Sequence, residues 1–256
     1  MITHRGAQAP VELAEHISLR DVPLIFMYHN IVEASEDPNL ICVTPSRFAE
    51  QMNWLESRGL RGVGVGALTD AMRHGRQRGL VGLTFDDGYE TVIEAALPEL
   101  QRRGFGATVF LVSALLGGQN EWDAGPRWPL LSGSGVEQLI RSGIEIGSHG
   151  ATHMRLAGAS AKDLVAEVTD SRLALSSLIG GEIRGFAYPY GSMDGASRAA
   201  VREAGYEYAC AVETPPDALG SMALPRAYAG QRDTAVRMEL KRLFYKPRIA
   251  AKGRRS

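Results

Sequence analysis

The feature that most constrains the fold of this chain is a regular alternation of short β-type runs with helical patterns along nearly its whole length. Such an alternation is typical of βα units, which build a mainly parallel sheet. We predict seven strands and a weaker eighth, a count that suits a closed or nearly closed barrel. The predicted strands are residues 23–28, 60–65, 80–85, 107–112, 144–148, 185–188, 207–212 and 222–227.

Capping residues mark the helix boundaries between these strands. Thr44 followed by Pro45 predicts a helix start, and Gly59 predicts the end of that helix. Ser160 is the predicted N-cap of a later helix that stops at Gly180. The apolar positions of this later helix fall on one face at helical spacing, which predicts that the face is buried. These positions are Leu164, Val168, Leu175 and Leu178.

The length and composition favour one large domain. At 256 residues with 45% hydrophobic content, the chain can bury one sizeable core. We place an N-terminal extension at residues 1–20, the main domain at 21–245 and a basic tail at 246–256, which we expect to fray after Pro247. Two cysteines, Cys42 and Cys210, lie in apolar runs and are predicted to be buried free thiols.

Charge and hydropathy narrow the possible partners. The formal net charge is -1, so no overall electrostatic field would recruit nucleic acid or an anionic membrane. Residues 1–20 mix charged and apolar side chains and lack the continuous apolar run of a secretion signal. The apolar run at residues 22–28 is too short to span a bilayer. We therefore expect no integral membrane span and a cytoplasmic location, and the sequence leaves the oligomeric state open.

Two adjacent carboxylates follow the third predicted strand. Residues 84–88 read Thr-Phe-Asp-Asp-Gly, so Asp86 and Asp87 emerge at the C-terminal end of the strand, where α/β sheets and barrels carry their active sites. Neighbouring side chains on a strand point in different directions, so one carboxylate can bind a cation while the other faces a water molecule. An ordinary turn is the alternative, because Asp and Gly are both favoured in turns.

Two histidines follow the fifth predicted strand. Residues 148–153 read Ser-His-Gly-Ala-Thr-His, and His149 and His153 share one face if this segment is helical. Both clusters follow strands at the same end of the alternation. Two imidazoles and the Asp87 carboxylate can therefore supply three ligands to a metal and leave positions open for water and substrate. A partly open site of this kind is typical of a catalytic metal.

Two weaker features follow other predicted strands. Residues 186–191 read Phe-Ala-Tyr-Pro-Tyr-Gly, a predicted tight turn in which the N–H of Tyr190 can point into the mouth of the barrel. His29 ends the first strand in the run Phe-Met-Tyr-His-Asn, where an ordinary strand-end histidine is an equally good interpretation.

In this order, the motifs resemble those of the polysaccharide deacetylase family, carbohydrate esterase family four. The resemblance covers about residues 23–228. It implies an α/β fold, an irregular (β/α) barrel of seven or eight strands similar to a TIM barrel. It also implies that Asp86 is the general base and that Asp87, His149 and His153 bind one divalent metal ion. Zinc is the usual inference from such ligands, and other divalent metals fit the same site.

The chain departs from the family pattern in two places. Many members have an Arg two residues before the Pro of the third motif, where this chain has Ala187, and Arg226 is the candidate replacement. The late histidine that supplies the general acid is also missing, because no histidine follows His153. A subgroup similar to biofilm poly-N-acetylglucosamine deacetylases carries an early Met-Tyr-His motif whose histidine is the acid, which implies this role for His29. The resemblance further implies that the N–H of Tyr190 stabilises the oxyanion.

The implied activity is metal-dependent removal of the acetyl group from an N-acetylated sugar, such as an N-acetylglucosamine-type glycan or glycoconjugate, by a catalytic domain at residues 21–245. Two alternatives remain open. The same site can hydrolyse a small non-sugar amide or imide, since fold and ligands do not fix the substrate. The chain can also be a catalytically silent glycan-binding domain, because two family residues are absent. Candidates for stacking on sugar rings are Trp122, Trp128, Tyr188 and Tyr190.

Overall fold

The computed structural model describes residues 16–212 and 214–252. Most of the predicted N-terminal extension and the last four residues of the predicted tail therefore lie outside the described residues. The described strands, in chain order, are β1 (Ile25–Tyr28), β2 (Asn30–Ile31), β3 (Cys42–Val43), β4 (Arg61–Val63), β5 (Leu80–Phe85), β6 (Thr108–Leu111), β7 (Glu145–Ser148), β8 (Gly185–Ala187), β9 (Tyr208–Ala211), β10 (Leu224–Pro225) and β11 (Ala227–Tyr228).

Eight parallel strands form a nearly closed barrel with helices around it, which confirms the predicted fold class. The order around the barrel is β10, β9, β8, β7, β6, β5, β1 and β11. The predicted eighth strand, 222–227, is two short strands separated by Arg226, and the second of them pairs with β1. The predicted strand 60–65 is shorter and lies off this path. It pairs with the first half of β5, whereas β6 pairs with the second half.

The helices cover the outside of the barrel. They are α1 (Pro45–Ser57), α2 (Val65–Arg73), α3 (Leu97–Arg103), α4 (Gly133–Arg141), α5 (Ala161–Leu164), α6 (Ser171–Ile179), α7 (Gly195–Glu203) and α8 (Ala235–Lys252). A π-helical segment, Val165–Asp170, joins α5 to α6 into one continuous helical stretch. A second π-helical segment, Val92–Ala96, leads into α3.

The predicted helix boundaries agree with the structure at the capping residues. The Thr44 hydroxyl accepts a hydrogen bond from the Arg47 N–H at 3.2 Å, and the Ser160 hydroxyl caps α5 in the same way. Gly180 ends α6 in the left-handed conformation, with φ 63°, which glycine adopts without a steric penalty. Of the apolar face predicted for this helix, Leu178 is the exception, because its side chain is partly exposed.

The C-terminal helix corrects one prediction. We expected fraying after Pro247, but α8 continues through this proline to Lys252. Burial of Tyr245 and Ile249 holds the helix against the barrel, and the Tyr245 hydroxyl donates to the carbonyl of Pro225. Pro247 lies on the exposed side, where the bend that a proline imposes can be accommodated.

The core consists of the barrel strands and the inner faces of the helices. Rings of Tyr28, Phe48 and Phe85 contact one another at its centre. Cys42 and Cys210 are buried and free, as predicted. Among the helices in the described part of the chain, none combines the length and hydropathy that crossing a bilayer requires.

Candidate active site

A cleft of about 620 Å³ opens where the barrel strands end, at their carboxyl ends. The structure brings all seven predicted site residues to this place. Six line the cleft: His29, Asp86, Asp87, His149, His153 and Tyr190. The seventh, Arg226, is buried and contacts Asp86.

Asp87, His149 and His153 form a buried cluster of possible metal ligands. One ligand atom from each residue lies within 4.8 Å of the other two. The Asp87 Oδ1 atom is 3.2 Å from His153 Nε2 and 3.5 Å from His149 Nε2. The turn after β5 places Asp87 in the left-handed conformation with φ 71°, followed by Gly88 with φ 75°. A side chain at Gly88 would collide with Leu111, so this turn requires glycine.

The donor set fits a divalent metal ion. His149 Nδ1 lies 2.7 Å from the Ala187 carbonyl and donates to it, so the lone pair of Nε2 faces the cluster. Burial lowers the pKa of His149 to about 4, which keeps this imidazole neutral near pH 7. Burial alone would raise the pKa of Asp87, but the hydrogen bond and charge of His153 outweigh it and lower the pKa. The Oδ1 atom of Asp87 is buried and faces the Nε2 atoms of both imidazoles, as a shared ligand set would.

The segment that carries the two histidines corrects the expected conformation. We considered a helical turn, but residues 149–153 form an irregular loop. Gly150 has φ 83° and His153 has φ 67°, and both values are incompatible with a right-handed helix. The two imidazoles are therefore brought together by a shaped loop and not by helical spacing.

Glu167 holds this loop in place and was not identified from the sequence. Its buried carboxylate accepts hydrogen bonds from the Ala151 N–H at 2.9 Å and the Thr152 N–H at 3.0 Å, and the Thr152 hydroxyl also donates to it. Glu167 lies in the π-helical segment between α5 and α6, and such segments are frequent at functional sites. The sequence signal that could have identified it is an acidic residue directly before Val168, next to the apolar face predicted for this helix.

Asp86 is clamped by Arg226. Two parallel hydrogen bonds, of 2.6 and 2.7 Å, join the guanidinium to the two carboxylate oxygens, and a third reaches the Thr84 hydroxyl at 3.1 Å. Burial alone would raise the pKa of Asp86, but the charges of Arg226, His149 and His29 lower it below its ordinary value. Asp86 is therefore an ionised carboxylate with a fixed orientation.

His29 also lies close to Asp86. Its Nε2 atom is 4.0 Å from Asp86 Oδ2, and His149 Nε2 lies at the same distance from that oxygen. The His29 side chain is 17% exposed, so it is open to the cleft, whereas Asp86 is almost fully buried. The imidazole can therefore reach a molecule bound in the cleft.

Aromatic rings form one wall of the cleft. Trp122 stacks on the ring of His153 with 4.4 Å between centroids, and Tyr190 contacts the same ring edge-on at 4.5 Å. Tyr190 has φ 57°, and the guanidinium of Arg155 lies 4.0 Å above its ring. Of the four predicted stacking residues, Trp122, Tyr188 and Tyr190 line the cleft. Trp128 is not among the described residues that line it.

With this geometry in place, comparison with known proteins decides the family. The sequence model for polysaccharide deacetylases matches residues 74–209, just over half of the 256 residues. The chain belongs to the polysaccharide deacetylase family. This match confirms the family predicted from the motifs and supports the predicted enzyme class, an N-deacetylase acting on non-peptide amide bonds.

Individual polysaccharide deacetylases are more distant. The chain is similar to the poly-beta-1,6-N-acetyl-D-glucosamine N-deacetylase of Staphylococcus aureus, with 23% identity over 181 residues that cover 67% of this chain and 61% of that protein. It spans less than two thirds of the length of the curated relatives that it matches.

Two solved structures have a similar fold. One is the deacetylase PplD of Streptococcus pyogenes, with 21% identity, a TM-score of 0.74, and coverage of 85% of this chain and 96% of that one. The other is IcaB from Ammonifex degensii, with 22% identity, a TM-score of 0.69, and coverage of 86% and 96%. At these identities the likeness establishes the fold.

Proposed function

We propose that this protein is a metal-dependent hydrolase that removes the acetyl group from an N-acetylated sugar, of the N-acetylglucosamine type. One observation carries the proposal: an ionised carboxylate, Asp86, is fixed by Arg226 directly beside the buried cluster of Asp87, His149 and His153. A general base next to an open metal site is the arrangement that hydrolysis of an unactivated amide requires.

The residues divide the reaction among them. A divalent cation such as zinc, held by Asp87, His149 and His153, would act as a Lewis acid toward the acetamide carbonyl and would acidify water. Asp86 takes the proton from the attacking water. The N–H of Tyr190 donates to the oxyanion that develops on the carbonyl oxygen, and this interaction strengthens in the transition state.

The amine leaves after protonation by His29. The His29 imidazole lines the cleft and is not one of the three clustered possible metal ligands, so it is available to the leaving nitrogen. Acetate and the free amino sugar are the products. The wall formed by Trp122 and Tyr190 offers apolar ring faces on which a sugar ring can stack.

The experiment that tests this proposal measures acetate released from N-acetylglucosamine oligomers by the zinc-loaded protein. A chelated sample and the Asp86→Asn variant are run in parallel. Because Asp86 is the base and not a ligand, we expect Asp86→Asn to retain zinc and lose about 10² to 10⁴ in rate. An Asp217→Asn variant, which changes an exposed carboxylate outside the cleft, is the matched control and should keep full activity.

The outcomes separate the alternatives. Full activity of Asp86→Asn would contradict its assignment as the base. Stoichiometric zinc without acetate release would contradict the sugar substrate and favour a small non-sugar amide or imide. A protein that binds the oligomers but neither zinc nor other divalent metals would be a silent glycan-binding domain.

A further inference from the structure

The mouth of the cleft is bounded by five segments that follow barrel strands in order around the barrel. Each contributes at least one residue to the lining of the cleft. We call them the rim segments: residues 39–41 after β2, 120–124 after β6, 190–191 after β8, 211–212 at the end of β9 and 226–228 around β11. Three of them carry a side chain that reaches the next segment through a hydrogen bond at the protein surface.

Two of these hydrogen bonds pass over the turns that carry the possible metal ligands. The Asn39 amide donates to the Ala124 carbonyl at 3.2 Å, and β5 lies between the strands that precede these two rim segments. The Tyr190 hydroxyl donates to Asp123 Oδ1 at 3.0 Å, and β7 lies between that pair of strands. The ligand side chains after β5 and β7 are only 2 to 6% exposed. They therefore form a floor beneath the rim.

The remaining contacts complete the rim. The Tyr228 hydroxyl donates to the Leu40 carbonyl. A Cβ atom at Gly191 would lie 3.0 Å from the Val212 Cβ atom, so these two residues pack closely. The backbone N–H of Arg226 donates to the carbonyl of the last residue of β9 at 3.0 Å. Among the described residues, each rim segment thus contacts both of its neighbours, and the rim forms a closed ring.

The rim segment at residues 39–41 is fixed in position. The Asp37 carboxylate accepts hydrogen bonds from the Ile41 N–H at 2.9 Å and the Cys42 N–H at 3.0 Å. Leu40 has φ 56°, a left-handed conformation that a leucine keeps only where the surrounding contacts impose it. Its side chain is 61% exposed at the mouth of the cleft. This part of the rim is therefore a built wall.

We propose that the cleft accepts only a terminal N-acetylated sugar, at the end of a glycan or on a small aglycone, an inference that rests on the proposed function. An internal sugar of a linear glycan continues in two directions, so it needs a groove with two open ends. A closed rim above a buried floor leaves one way out, through the mouth. The cleft volume of about 620 Å³ lies within the range of about 300 to 1,000 Å³ for pockets that enclose most of one small ligand.

Three substrates tested with the zinc-loaded protein examine this proposal. They are the methyl glycoside of N-acetylglucosamine, a linear tetramer of β-1,6-linked N-acetylglucosamine and a cyclic tetramer of the same linkage, which has no chain end. We expect acetate from the first two. Tandem mass spectrometry should place the free amine of the first product from the linear tetramer on a terminal sugar. The cyclic tetramer should react at least about 100-fold more slowly than the linear one, because it clashes with the rim.

A double variant that weakens the rim should relax this selectivity. Asn39→Ala with Tyr228→Phe removes both side-chain hydrogen bonds that hold residues 39–41 to neighbouring rim segments. The ratio of the cyclic to the linear rate should rise at least about tenfold, since two hydrogen bonds no longer hold this wall in place. Asn53→Ala, at an exposed asparagine outside the cleft, is the matched control and should keep the wild-type ratio.

Binding to zinc-loaded Asp86→Asn, measured by calorimetry, tests the shape of the cleft without turnover. The cyclic tetramer should bind at least about tenfold more weakly than the linear one. Equal rates or equal affinities for the two tetramers, or first products with the free amine on an internal sugar, would overturn this inference and leave the proposed deacetylase function intact. A protein that releases no acetate from any of the three substrates and binds none of them would contradict the proposed function, and this inference with it.

Discussion

Asp86 and Asp87 are neighbours in the sequence, yet their surroundings give them different chemistry. Arg226 occupies both oxygens of Asp86, whereas Asp87 faces two imidazoles. Asp86 therefore has a fixed orientation, whereas Asp87 presents one oxygen to both imidazoles. The sequence predicted this division, because consecutive residues after a strand point in different directions. It also indicated Arg226 as a candidate partner, although only the folded barrel shows that the guanidinium reaches the carboxylate.

At Arg226, we expect replacement to alter the protonation of Asp86. Arg226→Gln removes the nearest positive charge and leaves burial, which raises the pKa of Asp86. Because the base must be ionised, the acidic limb of the pH profile of kcat/KM should move to higher pH. Arg226→Lys keeps the charge but loses the paired hydrogen bonds, so its limb should move less while kcat still falls. An unchanged acidic limb in active Arg226→Gln would contradict the role of Arg226.

At His29, the prediction concerns the leaving group. If His29 protonates the departing amine, His29→Gln should lower deacetylation of an N-acetylated sugar by about 10² to 10⁴. The same variant should hydrolyse p-nitrophenyl acetate at close to the wild-type rate, because nitrophenolate leaves without protonation. Asp86→Asn should fail on both substrates, since both need the base. Equal losses on the two substrates in His29→Gln would exclude the general-acid role.

At the scale of elements, the prediction from sequence succeeded where the local pattern decides the structure. Thr44, Ser160 and Gly180 mark helix ends through their own hydrogen bonds and backbone preferences, and the structure has these ends. The 149–153 loop could not be predicted in the same way. Its backbone N–H groups are held by Glu167, which lies 15 and 16 residues further along the chain, in the π-helical segment after α5, and no local pattern in the loop reports this contact.

Glu167 therefore supports a prediction about the loop as a unit. Glu167→Gln keeps the size of the side chain but places an amide N–H₂ against loop N–H groups that need an acceptor. We expect the loop to loosen and the affinity for zinc to fall about 10- to 100-fold, the usual effect of removing a group that orients metal ligands. Competition with a chelating indicator measures this affinity. Glu182→Gln, an exposed glutamate elsewhere, is the control, and equal zinc affinity in the two variants would contradict the prediction.

At the scale of the whole molecule, the alternation of strands and helices was enough to predict the barrel, but not how it closes. The predicted eighth strand is interrupted at Arg226, whose N–H donates to the Ala211 carbonyl while its side chain turns inward to Asp86. Closure of the barrel and the orientation of the Asp86 carboxylate thus share one residue. Pairing between the first and last strands depends on chain segments about 200 residues apart, which no local pattern reports.

The cluster of possible metal ligands, Asp87, His149 and His153, also joins distant parts of the barrel. Asp87 follows β5 and the two histidines follow β7, so a bound cation would tie together the ends of two strands that β6 separates.

Because a cation that binds only the folded state stabilises it, zinc at about 100 times its dissociation constant should add about 2.7 kcal/mol to the free energy of unfolding. For a domain of this size, that gain corresponds to a melting temperature about 5 to 10 °C higher. Scanning calorimetry with zinc and then with excess chelator measures the shift. Asp86→Asn should keep the shift and Asp87→Asn should lose it, and a full zinc response in Asp87→Asn would exclude this cluster as the metal site.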